Sequence, residues 1–74
     1  MVRLRVKEVA EAKGMSIAKL ARKADLDNKT VYRIVHDPFA EITTFTLGRL
    51  AEALDVSVKD LIEDASFPSP NEED

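Results

Sequence analysis

The amino-acid sequence predicts an all-α domain of five short helices. Two observations carry that prediction. Apolar residues recur at spacings of three, four and seven in five separate stretches, and four of the stretches open on a residue whose side-chain oxygen can accept from the free N–H groups of a first helical turn. Length sets the scale: 74 residues, 45% of them hydrophobic, suffice for one small core and not for two, since domains run to roughly 100 residues. With no cysteine, neither a disulfide nor a thiolate metal site can hold the chain, and cohesion must come from packing, with or without a second copy.

Taken in order, Val6, Val9 and Ala10 mark the first helix, which Gly14 ends as a left-handed cap. Ser16 caps the second, carried by Ile17, Leu20, Ala21 and Ala24; Asp27 caps the third, carried by Val31, Ile34 and Val35. Pro38 biases Asp37 away from helical dihedrals, so residues 37–42 form a loop. Thr43 caps the fourth helix, with Leu47, Leu50, Ala51 and Leu54 on one face. Ser57 caps a fifth, Val58, Leu61 and Ile62, with Asp60 as the acid of a shortened capping box.

The two ends depart from helical spacing. Val2, Leu4 and Val6 alternate with Arg3, Arg5 and Lys7, a strand-like period that predicts a short ribbon with Glu41-Ile42-Thr43; the alternative is that Leu4 and Val6 open the first helix. Residues 65–74 contain two prolines, two serines and Glu72-Glu73-Asp74, the composition of a disordered acidic tail, leaving residues 1–64 as the domain.

The functional signal lies between Ser16 and Asp37. Two helices joined by only Asp25-Leu26-Asp27 cannot lie antiparallel and must cross at a large angle, the pattern of a helix-turn-helix. If Val31, Ile34 and Val35 face inward, then Asn28, Lys29, Tyr32, Arg33 and His36 form a continuous outward stripe, and every member can donate a hydrogen bond. Asn reads adenine bidentately, Arg and Lys reach guanine acceptors, and Tyr contacts a thymine methyl or a phosphate, so this is the chemistry of major-groove readout. A plain solvated face would more often mix in Glu and Ala.

On these residues the chain resembles the Cro/C1-type, or Xre, family of helix-turn-helix DNA-binding domains, the five-helix lambda-repressor-like fold. The resemblance rests on Leu20-Ala21, the Asp25-Leu26-Asp27 turn, Val31 and Ile34, and the run from Thr46 to Leu61, and it covers roughly residues 4–63. It implies that the helix at 28–36 enters the major groove of duplex DNA, with Asn28, Lys29 and Arg33 on base edges; the chemistry of the stripe adds Tyr32 to this base-reading set. The resemblance further implies that the start of the second helix, Ser16 and Ile17, and the loop after the third lie on phosphates, with two copies bound as a homodimer to two half-sites; Lys19, Thr30 and His36 are expected to join the phosphate contacts. The sequence departs from the family's pattern in having Ile17 where a phosphate-clamping Gln is usual, Asp25 where Gly is usual in the turn, and Val35 and Asp37 where Glu and Gly are frequent.

Charge and composition narrow the alternatives. The net charge of −3 conceals a gradient: residues 1–33 carry nine basic and four acidic side chains, residues 34–74 two and ten. The positive half contains the stripe from Asn28 to Arg33. Lys19, Arg22 and Lys23 add general electrostatic attraction to phosphate. A lone His36 at a helix end compensates the dipole more readily than it binds metal, and no nucleophile or carboxylate pair suggests catalysis, so no cofactor and no enzymatic activity are expected. Apolar runs are far shorter than the roughly 20 residues that span a bilayer, and the start lacks a signal-peptide core, which predicts a soluble, cytoplasmic protein with no membrane partner. Val56, Val58, Ile62 and Phe67 read as core or C-terminal packing, and a part of this patch left exposed would suit a two-fold dimer contact. The reading is thus a small transcriptional regulator binding DNA sequence-specifically; the alternative is a protein-interaction module such as an antitoxin, engaging a protein partner with weak or no specific DNA binding.

Overall fold

Helix α1 (Val6–Ala12) ends at Gly14, whose φ is 65°, with the Gly14 N–H donating to the Glu11 carbonyl at 3.0 Å and the Met15 N–H to Ala10 at 2.9 Å. That pair of bonds satisfies carbonyls the last turn would otherwise orphan. The same closure recurs twice with aspartate in the left-handed position. Asp25 (φ 59°) ends α2 (Ile17–Ala24) with bonds to Arg22 at 3.2 Å and from Leu26 to Ala21 at 2.9 Å. Asp55 (φ 59°) ends α4 (Thr44–Leu54) with bonds to Glu52 at 3.1 Å and from Val56 to Ala51 at 3.0 Å. In each case the next residue, Met15, Leu26 or Val56, tucks against the core, so each turn is fixed at both ends.

The computed structural model describes residues 1–64; the expected acidic tail, 65–74, lies outside the described residues. Around α1, α2, α3 (Asn28–His36) and α4 run two short strands, β1 (Val2–Leu4) and β2 (Ile62–Asp64), the latter entered through a single 3₁₀ turn at Val58–Leu61. The helices meet over one core in which Val6, Leu20, Val31, Leu50 and Leu61 are wholly inaccessible to solvent. Burying a side chain of this size contributes about 1.5–3 kcal/mol. Small residues bring the motif together: Ala21 and Ala24 are buried, which lets α2 approach both α3 and α4.

Two expectations are corrected. The fifth helix is absent, because the segment after Ser57 makes only a four-residue 3₁₀ turn. Asp60 does complete the anticipated cap, accepting from the Ser57 N–H at 3.1 Å, but the Leu61 carbonyl is captured by the Arg5 N–H at 2.7 Å and the chain then leaves as a strand. The ribbon exists, but β1 pairs antiparallel with β2, matching Val2 to Asp64, Arg3 to Glu63 and Leu4 to Ile62, not with residues 41–43. The loop after α3 reaches β1 through one bond, from the Leu4 N–H to the Pro38 carbonyl at 2.7 Å. Ile62 has the branched side chain and half-buried setting that suit a strand, and its spacing from Val58 and Leu61 fits a helix equally well, so local pattern could not choose between them.

Candidate nucleic-acid interface

The second helix of the motif divides cleanly along its length. Val31, Ile34 and Val35 are buried, whereas Asn28, Lys29, Tyr32, Arg33 and His36 are exposed along the opposite side. Asn28, Lys29 and Arg33 make no side-chain hydrogen bond or ion pair within the described residues, so their donors are unspent. Tyr32 and His36, one turn apart, stack with ring centroids 4.2 Å from each other at a tilt of 42°. An exposed aromatic ring bearing a hydroxyl, in the middle of a donor stripe, is suited to a partner with both polar and apolar edges. Thr30 is half-buried at the first turn of α3.

The start of α2 lies beside this face. Ser16 accepts from the Lys19 N–H at 3.1 Å through Oγ, which leaves its hydroxyl hydrogen free to donate outward. Ile17 is half-buried against the core and, with Met15, Leu20 and Val35, lines a shallow groove between α1, α2 and the end of α3. An isoleucine there offers an anion nothing beyond its backbone N–H. Lys19, Arg22 and Lys23 are exposed on α2.

Three acids surround α3, and two of them are engaged. Asp25 receives Nη2 of Arg49 at 3.1 Å, and Asp37 accepts from the Phe39 N–H at 3.1 Å, closing a small turn after α3. Asp27 occupies the N-cap position of α3 as expected, with extended dihedrals, but its side chain makes no capping hydrogen bond. Arg49 is the residue the linear reading missed. It lies on α4, 24 positions from Asp25, and helix periodicity gives no sign that its guanidinium closes back on the turn of the motif. Among the described residues, no three His, Cys, Asp or Glu side chains gather as a metal site would require, and no helix is long and apolar enough to cross a membrane.

Two helices crossing about a three-residue turn, with the second presenting unspent donors on its outer face, define a DNA-binding helix-turn-helix. The chain belongs to the Cro/C1-type helix-turn-helix DNA-binding domain family, whose model matches residues 5–65. Solved structures agree. A candidate DNA-binding protein from Bacteroides fragilis is 25% identical and superimposes with a TM-score of 0.75 over 85% of this chain and 100% of that one. The restriction-modification controller protein C.AhdI from Aeromonas hydrophila is 28% identical, with a TM-score of 0.70 over 76% of this chain and 83% of its own. No curated protein matches the sequence significantly. Family and fold are those of DNA-binding regulators, which are not enzymes.

Proposed function

We propose that this chain is a sequence-specific regulator of transcription that binds duplex DNA through α3. The single observation that carries the proposal is the α3 stripe, in which Asn28, Lys29, Tyr32 and Arg33 are exposed together while the other side of the helix is buried. In the major groove Arg33 and Lys29 meet guanine acceptors, Asn28 meets adenine, and Tyr32 meets a thymine methyl. Phosphates are met by the Ser16 hydroxyl, the Ile17 backbone N–H, Lys19, Thr30 and His36, which position the helix without reading sequence. The regulatory action is occupancy of an operator, as the likeness to a restriction-modification controller supports.

Two copies acting on two half-sites would square the selectivity available to a domain with one short reading helix. Val58 is exposed and supplies apolar surface for such a contact, while Val56 and Ile62 are half-buried against the core. Phe67, the fourth residue of that expected patch, lies outside the described residues. Selection of the purified protein against a randomised duplex pool tests the function directly: enrichment of a pseudo-palindrome supports it, and binding that is salt-sensitive but blind to sequence overturns it.

A further inference from the structure

Arg49 stands outside the helix-turn-helix, yet it makes the side-chain hydrogen bonds that hold the turn. Its Nε donates to the Ala24 carbonyl at 2.8 Å and its Nη2 to the Asp25 carboxylate at 3.1 Å. Ala24 is the last residue of α2, and its carbonyl belongs to the set that a helix end leaves without an intrahelical donor. The two bonds left-handed Asp25 makes possible serve Ala21 and Arg22; the Arg49 fork serves Ala24 and the carboxylate itself. The guanidinium carbon sits 5.3 Å from the centroid of the Phe45 ring, within cation–π range. Among the described residues, no other side chain hydrogen-bonds to residues 24–27, and Asp27 makes no side-chain bond to the start of α3. Beyond the backbone bonds of Asp25 and Leu26, the turn that leads from α2 into α3 therefore has one side-chain tether among the described residues, and that tether comes from α4.

We propose that Arg49 is a positioning residue for DNA recognition: by tying Ala24 and Asp25 to α4 it holds α3 at one angle and so narrows the set of sequences the stripe accepts. Bidentate base contacts are sensitive to displacements of a fraction of an ångström, so a loosened turn costs the matched sequence more than it costs a random one. A lysine cannot replace the planar fork, because a single ammonium cannot hold both acceptors in the same fixed geometry. The inference rests on the reading of α3 as the recognition helix.

The experiment has two arms. In the free protein, residual dipolar couplings report the α2–α3 angle in wild type, Arg49→Ala and Arg49→Lys. On DNA, the ratio of affinities for a selected duplex and a random duplex is measured at one salt concentration. The expected result is a changed or averaged angle in both variants, and a ratio about three- to tenfold lower in Arg49→Ala, with Arg49→Lys keeping random-duplex affinity but losing part of the ratio. Unchanged couplings in folded Arg49→Ala overturn the proposal. So does an equal loss on both duplexes, which is the signature of a missing charge. Should wild type prefer no sequence, the recognition reading fails on the second arm, and the couplings still decide by themselves whether Arg49 sets the angle.

Discussion

Arg3 and Glu8 meet at 2.8 Å between Nη2 and Oε2, joining β1 to α1, and the same guanidinium reaches Glu63 on β2 at 3.0 Å. One arginine thus clasps the first strand, the first helix and the last strand. Both pairs are partly exposed, so their contribution at neutral pH is modest and screened by salt.

The Glu8 carboxyl is held below its ordinary range, chiefly by the Arg3 hydrogen bond, and Arg3 is shifted upward in turn, chiefly by Glu8. The sign follows from linkage. A carboxyl depressed in the folded state stabilises the fold above its unfolded pKa of about 4.3, and that stability is lost as pH falls through the folded value. Arg3 stays charged throughout. Thermal unfolding should therefore show wild type above Glu8→Gln at pH 7, with the two curves converging in the acid range; a constant difference at all pH values would refute the linkage.

Two of the three left-handed turns, at Gly14 and Asp55, predict a graded series of variants. At Gly14 an added Cβ meets nothing within 4 Å, so Gly14→Ala costs backbone strain alone, about 1 kcal/mol. At Asp55 the strain is already present, and Asp55→Gly should be neutral or stabilising by up to roughly 1 kcal/mol, whereas Asp55→Val should destabilise. Denaturant unfolding measures all three, and a destabilised Asp55→Gly would contradict the account.

Leu50 on α4 and Leu20 on α2 are fully buried in the same small core. Either Leu→Ala change should cost about 2–5 kcal/mol, comparable with the total stability of a domain of this size at roughly 0.05–0.15 kcal/mol per residue. Circular dichroism is expected to show substantial unfolding at 37 °C. Retention of a sharp, wild-type transition would mean the core relaxes far more than its packing suggests.

On DNA, Arg33 and Lys19 should behave differently. Arg33→Ala is expected to relax selectivity at one base position, by ~1–3 kcal/mol, because its guanidinium is unspent in the middle of the stripe. Lys19→Ala should weaken every duplex alike and lower the salt slope by about one. Competition binding against single-base variants distinguishes them, and an equal loss on every sequence from Arg33→Ala would remove it from the base-reading set.

Local pattern carried most of the fold. The four α-helices, the caps at Ser16 and Thr43, the left-handed stop at Gly14 and the inward face of α3 all follow from residues within a turn or two of each other, where i, i+3 and i+4 spacing and capping act. The exposed stripe of the candidate site was legible for the same reason. Once Val31, Ile34 and Val35 are core, the remaining positions of an α-helix have nowhere else to face.

What the tertiary structure alone decided joins residues far apart in the chain. Val58–Leu61 stops after one 3₁₀ turn where the Arg5 N–H takes the Leu61 carbonyl, and β1 pairs with β2, not with the loop at 41–43, setting buried Leu4 directly across from Ile62, which packs against the core. Arg49 reaches Ala24 and Asp25 only because α4 packs on α2. Sequence fixes such contacts through the balance of whole-domain packing, where loop-closure entropy is met by many weak contacts at once, and no short window contains that balance.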